Sequence, residues 1–262
     1  MLVTSLGFRT DLMVRRLAGS SIAEGDDHIV VRTPSNPGYW WGNFLLLKGP
    51  LQAGDAARVR ELFTTELPGT TTMAIGVDGT GNDPGAVAEV GALGLEVSSD
   101  VVLTADSVEA PAGPPRGLIR PLTTDADWLE LGALRDAWQG PPAEAADERF
   151  RALRLAEDRD LTEGGSVAWF GAREDDVLVS ALGIVCDGSG IARYQNVETH
   201  PDHRRRGHAR HLLHAAATHA ARELAAHTFV IVADPDYHAI ALYRSAGFHD
   251  AEWMVRLQPA AR

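Results

Sequence analysis

The sequence predicts a mixed α/β protein: a largely antiparallel central sheet with helices on both faces, in two units in tandem. Three observations predict it. A chain of 262 residues, 45% hydrophobic and 23% charged, has the length of one large or two ordinary domains and can bury a core without staples. Strand-type and helix-type patterns alternate through both halves, joined by short connections. The segment EAPAGPPRGLIRPL, Glu109–Leu122, is rich in proline and reads as a linker or crossing segment, which sets the domains at 1–115 and 116–262.

In the first half, HIVVRT and NFLLL read as strands, AARVRELFTTEL as a helix, and TTMAIGVD and LEVSSDVVLTA as two more strands. DGTGNDPG, Asp78–Gly85, reads as a loop. It is no phosphate loop, because no Gly-Lys-Ser/Thr follows. PSNPGYWWGNF, Pro34–Phe44, gathers four aromatics around turn residues. Core packing at a domain interface is the favoured reading, and the wall of a ligand pocket is the alternative. No short motif in this half commits to chemistry.

The second half is more regular. GLIRPL is a short strand, and Thr124 or Asp125 can cap a helix carrying Trp128, Leu131 and Leu134. A charged helix follows, from about Ala143 to Leu161. SVAWFGARE, VLVSALGIVCD and ARYQNVETH, separated by Asp-Asp and Asp-Gly-Ser-Gly turns, predict an antiparallel meander. Ala209, Leu212, Leu213, Ala216, Ala217, Ala220 and Leu224 then recur at 3-4 spacing and give a helix one apolar face. FVIVA reads as a buried strand, parallel to a neighbour. A helix with Ile240, Leu242 and Tyr243 stops at Gly247, and FHDAEWMVRLQ returns as an edge or hairpin strand.

Composition excludes several functions. The formal charge is -12, and residues 1–116 and 117–262 each hold six more acidic than basic side chains. Neither half has the basic surplus of a protein that follows a phosphate backbone, so no nucleic-acid partner is expected. No run approaches the roughly 18 apolar residues of a membrane span. Arg9 and Asp11 interrupt the apolar core that a signal peptide needs. The single cysteine, Cys186, allows no internal disulfide and reads as a small buried hydrophobe at a strand end. A cytoplasmic location is expected.

Against this acidic background stands HPDHRRRGHARHLL, His200–Leu213, between a strand and a helix. Amides at a helix start lack intrahelical partners and carry about half a positive charge from the dipole, so such an end binds phosphate. Gly207 and Ala209 let the backbone approach a diphosphate, and neighbouring arginines add charge-assisted hydrogen bonds. His200-x-x-His203 and His211-x-x-His214 have metal-ligand spacing. The crowd of arginines argues against a cation, and no metal is expected.

Arg204-x-x-Gly207-x-Ala209, preceded by a strand and Pro201 and followed by an amphipathic helix, resembles the acyl-CoA signature of the GCN5-related N-acetyltransferase (GNAT) superfamily. DYHAIALYRSAGF, Asp236–Phe248, resembles that family's Asn-x-x-Ala-x-x-x-Tyr-x-x-x-Gly-Phe helix. The order of elements matches over residues 117–262. The resemblance implies acyl transfer, usually of acetyl, from coenzyme A to a small-molecule or peptide amine, with no metal. It also implies that Asn196, Val197, Glu198 and Thr199 lie on a splayed strand whose backbone holds the pantetheine arm. The loop amides of Arg205, Arg206, Gly207, His208 and Ala209 would hold the pyrophosphate. Arg204, Arg210 or Arg244 would reach the adenosine phosphate, with Asp236 and Ala239 on the second motif. Asp236 departs from the family's asparagine: an ionised carboxylate only accepts hydrogen bonds, and capping the next helix is its other role.

Tyr243 takes the place of the family's general acid, and a phenol with reference pKa about 10 can protonate a departing thiolate. The alternative is packing beside the sulfur. The amine must first lose a proton. A lysine-like amine is neutral about once in 2,500 molecules at pH 7, equivalent to roughly 4.6 kcal/mol. Glu198 is the nearest carboxylate and the candidate base, with His200 a further candidate. An acyl-CoA-binding sensor without turnover is the competing function. The N-terminal half lacks both motifs and is expected to be a degenerate copy of the same fold or an accessory domain.

Overall fold

The computed structural model describes residues 3–70, 72–79, 84–140 and 145–259. They form seven α-helices and eleven strands, α1 (Leu6–Leu17), β1 (Ser21–Glu24), β2 (His28–Arg32), β3 (Phe44–Leu47), α2 (Asp55–Glu66), β4 (Ile75–Val77), α3 (Pro84–Gly91), β5 (Leu95–Ala105), β6 (Leu118–Pro121), α4 (Asp125–Gln139), α5 (Ala145–Glu163), β7 (Val167–Glu174), β8 (Val177–Cys186), β9 (Ile191–Thr199), α6 (His208–Glu223), β10 (Thr228–Ala233), α7 (Ala239–Ser245) and β11 (His249–Pro259). The mixed α/β expectation holds. Two compact units emerge, and they are not contiguous in sequence. One comprises Met1–Val102, Val232–Tyr237 and Asp250–Arg262; the other comprises Leu103–Ile231 and His238–His249.

In the first unit the strand order is β1-β2-β3-β4-β11-β5. The strands β1, β2 and β3 pair antiparallel, β3 and β4 pair parallel, and β11 pairs antiparallel with β4 through Leu257↔Ile75 and Val255↔Val77. The C-terminal strand is therefore internal to this sheet, not the edge strand its pattern predicts. Met254 and Leu257, on opposite faces of the strand, are both buried while Trp253 stays exposed, and burial on both faces suits an internal position. Leu45, Leu47, Val59, Phe63, Ile75 and Leu257 share one cluster. Two helices escape the sequence reading. α1 is started by Ser5, whose side chain accepts from the Phe8 amide, and the carboxylates of Asp78 and Glu252 accept from the Ser5 and Gly7 amides at 2.8 Å each. Those acids come from distant segments, so no local capping signal shows them. α3 begins at Pro84, inside the stretch read as a loop, with proline at a position where its missing N–H is no loss. Residues 80–83 of that stretch lie outside the described residues.

In the second unit the order is β10-β9-β8-β7-β6. β7 to β9 form the antiparallel meander and β10 runs parallel to β9, as the patterns predict, and β6 pairs antiparallel with β7. Asp175 and Asp176 both have positive φ, 49° and 65°, which closes the β7–β8 hairpin with the twist that hairpins favour. Thr124 starts α4 with a full capping box: its hydroxyl accepts from the Asp127 amide, and Asp127 accepts from the Thr124 amide. Arg120 and Arg173 also converge on Asp127, Nη2 of each within 2.7 Å of Oδ1, so the carboxyl is held far below its ordinary pKa, chiefly by Arg120. Trp169, Leu131, Leu182 and Ile184 fill the core. Cys186 is buried at the end of β8. No described helix is long and apolar enough to cross a membrane.

Candidate functional site

The site is built at one end of β9. Gly183 of β8 pairs with Gln195, yet Ala181 pairs with Glu198, so β9 carries one extra residue there. Asn196 absorbs it with φ 44°, a conformation asparagine tolerates better than most residues. On the other side, the parallel ladder covers only Ile191–Arg193 and Thr228–Val230. Bulge and short ladder together free the backbone of Asn196, Val197, Glu198 and Thr199 from regular pairing on the side toward β10. Bulges re-aim strands next to active sites in this way. Ser180 Oγ donates to the Glu198 carbonyl at 2.6 Å and lies 2.8 Å from Thr199 Oγ1, which fixes the strand beyond the bulge.

Glu198 belongs to a buried ionic network. Arg135 of α4 donates through Nε to Glu198 Oε2 at 3.2 Å and through Nη2 to Asp158 Oδ2 of α5 at 2.8 Å. The same guanidinium lies over the Trp169 ring, 5.0 Å from its centroid. Burial pushes the Glu198 carboxyl above its ordinary value, and Arg135 only partly offsets it. A carboxylate with a raised pKa is a better proton acceptor than an exposed one. Arg135 and Asp158 were not among the residues read from sequence. One signal was present: Arg135 falls on the apolar stripe of Trp128 and Leu131, where a charge needs a buried partner.

Beyond β9 the chain makes a short turn, Pro201–His203, capped by the His200 side chain. Arg204 is extended, Arg205 is left-handed at φ 61°, and Gly207 is left-handed at φ 88° as the N-cap of α6. Two left-handed residues in a four-residue loop, Arg204–Gly207, lead into the first turn of α6, an arrangement that suits an anion. A Cβ at Gly207 would meet nothing nearer than His211 Nδ1 at 3.7 Å, so glycine is required there for conformation and not for space. Arg204 and Arg205 are exposed. Arg206 is held by Glu174 at 2.7 Å and by the Asp202 carbonyl at 2.9 Å. His208 is buried, and its neighbour Ala209 half-buried.

Arg210 joins the two sequence motifs. It donates to the Ser245 carbonyl and, at 2.9 Å, to Ser245 Oγ, and it lies 3.3 Å from Glu109, so the first turn of α6 is tied to the end of α7. Tyr243 is buried on α7, two residues before that contact. The motif's Gly-Phe has a structural reason. Gly247, at φ 97°, sends its amide to the Arg244 carbonyl, and Phe248 sends its amide to the Tyr243 carbonyl. These two bonds close the helix C-terminus in a Schellman pattern. Phe248 then packs edge-on against Tyr194, centroids 5.8 Å apart. Ala239 opens α7, whose N-cap is His238 with no capping side chain. Asp236 therefore does not cap this helix; its amide instead donates to Asp234 Oδ1 at 2.8 Å.

Among the histidines, His211 contacts the Gly207 and Gly113 carbonyls and His214 the Val108 carbonyl. Neither pair singled out by sequence spacing forms a ligand set among the described residues. A different group does assemble: Glu174, His203 and His208 have donor atoms within 4.8 Å of one another.

Residues 131–248 match the family model described as Acetyltransferase (GNAT) family. No curated protein matches the sequence. Among solved structures, the chain is similar to a functionally unknown conserved protein from Staphylococcus epidermidis ATCC 12228 (TM-score 0.74, 10% identity, covering 90% of this chain and 92% of that one). It is also similar to a GCN5-related N-acetyltransferase from Kribbella flavida (TM-score 0.66, 16% identity, 99% and 97%) and to a tandem GNAT protein from the clavulanic acid biosynthesis pathway (TM-score 0.57, 17% identity, 95% and 88%). These likenesses are of fold. With the loop, the bulged strand and the α7 terminus in the positions that the motifs require, residues 131–248 form a domain of the GNAT acetyltransferase family.

Proposed function

We propose that the protein is an N-acyltransferase that moves an acetyl or other acyl group from acyl-CoA to a small-molecule or peptide amine. The loop with left-handed Arg205 and Gly207 at the start of α6, next to a strand freed by its bulge, is the observation that carries this reading. It supplies an anion cradle and a strand edge side by side, which suits a pyrophosphate continued by an amide-bearing arm. Acetyl-CoA supplies an acyl group activated as a thioester. The backbone of Asn196–Thr199 would orient the arm, and the amides of Arg205–Ala209 would hold the phosphates, with Arg204 and Arg205 exposed for the adenosine end.

In this reading Glu198 accepts a proton from the ammonium form of the acceptor, directly or through water, so that the amine nitrogen can attack. Its buried position beside Arg135 keeps an acceptor oxygen close to the strand edge. The Tyr243 hydroxyl delivers a proton to the departing sulfur, so the free thiol leaves. Residues 116–262 carry the catalysis and residues 1–115 serve as a degenerate copy or accessory domain, giving one cofactor per chain in the cytoplasm.

The test is incubation with acetyl-CoA and a broad amine panel, reading thiol release, with Tyr243→Phe beside the wild type. Release with at least one amine, reduced at least about tenfold by the substitution, is expected. Coenzyme A binding with no turnover on any amine would favour the sensor. Calorimetry is expected to find one coenzyme A per chain; two would overturn the degenerate-copy assignment.

A further inference from the structure

The loop that starts α6 is held from outside by a single carboxylate. Glu174 closes β7, and its Oε2 accepts from Arg206 Nη1 at 2.7 Å and lies 2.9 Å from His203 Nδ1. Its Oε1 lies 3.1 Å from Nε2 of His208, the first residue of α6. Two hydrogen bonds and one close approach thus bracket Arg205, the one non-glycine residue of the loop in the left-handed region. Such a residue persists only where its surroundings over-determine it. We infer that Glu174 is a positioning residue for the coenzyme A pyrophosphate, clamping His203, Arg206 and His208 so that the loop amides are set for the anion before it arrives. The inference rests on the acyl-CoA reading above.

A divalent cation is the rival occupant, because Glu174, His203 and His208 are ligand types with donor atoms within 4.8 Å of one another, and the 3.1 Å approach of His208 Nε2 to Glu174 Oε1 is not aligned as a hydrogen bond. Arg206 decides between them. Its guanidinium already occupies Glu174 Oε2, and a dication there would face that charge together with exposed Arg204 and Arg205. The clamp also divides the three arginines into roles. Arg206 is spent on the protein, which leaves Arg204 and Arg205 for the ligand. The Glu174 carboxylate meets the side chains of His203, Arg206 and His208, so its effect passes through the loop.

Isothermal calorimetry on the full chain tests this with coenzyme A and with S-acetylpantetheine, which lacks the pyrophosphate. Glu174→Gln is expected to weaken coenzyme A by roughly 5- to 30-fold, the factor matching the left-handed penalty of one L-residue. S-acetylpantetheine affinity is expected to stay unchanged, and in turnover KM for acetyl-CoA rises while kcat holds. Arg206→Ala, a substitution at an exposed position, should produce a smaller loss in the same direction, and the two losses should not add in the double variant. Equal coenzyme A affinity in wild type and Glu174→Gln overturns the clamp, as does equal weakening of both ligands. Saturable Zn2+ binding lost in His208→Ala overturns it in favour of a metal. If the wild type itself binds no coenzyme A, it is the acyl-CoA reading that fails.

Discussion

Replacing Arg135 by methionine tests the buried network behind Glu198. The guanidinium is 11% exposed, and its partners Asp158 and Glu198 are 8% and 11% exposed. At the observed 2.8 and 3.2 Å, each contact has a gross attraction of about 5 to 6 kcal/mol at an effective dielectric of about 20. Desolvation of three ions opposes this, so the intact network adds little net stability. The substitution behaves differently, because methionine keeps most of the stem volume but leaves two buried carboxylates facing each other. Breaking a buried pair by removing one partner costs about 3 to 5 kcal/mol, which corresponds to a fall of roughly 6 to 20 °C in Tm for a protein of this size. Differential scanning calorimetry measures it. A second readout bears on function. Burial already holds the Glu198 carboxyl high, and Arg135 opposes that rise. Without the arginine the carboxyl moves further up, so the acid limb of kcat/KM shifts to higher pH and the variant regains activity as pH is raised. An unchanged Tm together with an unchanged acid limb would refute both the network and the role of Glu198.

Other consequences follow from the same contacts. Glu198→Gln is expected to abolish most turnover while leaving stability at pH 8 equal or higher. A carboxyl whose folded pKa is raised destabilises the fold as pH rises from the unfolded to the folded value, and equilibrium denaturation at pH 8 shows the sign. Asp127→Ala leaves buried Arg173 without this partner and opens the capping box, with an expected loss of about 3 to 5 kcal/mol at pH 7. Because the Asp127 carboxyl is depressed in the fold, its contribution is full above about pH 4 and fades as pH falls toward the depressed folded value. Urea titrations at pH 7 and pH 3 should therefore show a smaller difference from wild type at the lower pH. Gly247→Ala places a Cβ on a residue at φ 97°, costs about 1 to 2 kcal/mol, and is expected to slow thiol release by loosening the end of α7 beneath Tyr243. Unaltered turnover in that variant would uncouple the Schellman closure from catalysis.

Legibility differed between the two units for physical reasons. In the second unit, the apolar stripe of α6, the Asp-Asp hairpin and the run FVIVA are local signals, and each element formed where its period indicated. In the first unit, α1 depends on carboxylates from Asp78 and Glu252, 73 and 245 residues away, so its start carries no short-range mark beyond Ser5. The C-terminal strand shows the same limit on a larger scale. Its alternating pattern establishes a strand, but period alone does not choose a neighbour. Only the long-range pairing with β4 assigns it to the other unit.

The site divides along the same line. Conformation was readable at Gly247, expected to stop its helix and found at φ 97°; Gly207 was expected to make room for a diphosphate, whereas what the loop needs from it is its positive φ. Charge partners were not readable. Glu174 lies 29, 32 and 34 residues from His203, Arg206 and His208, at the end of a strand where a charged residue looks like ordinary solvent exposure. What brings it there is the meander, which returns the end of β7 to the side of the loop after β9. The arginine run looks like a uniform basic patch in sequence, yet in the fold one arginine is neutralised by Glu174, one is tied to Ser245, and two stand exposed. A count of positive charges would thus overstate the field available to an anion. Shaping the loop is as large a part of what its arginines do as carrying charge, since two of the four are committed to protein partners before any ligand binds.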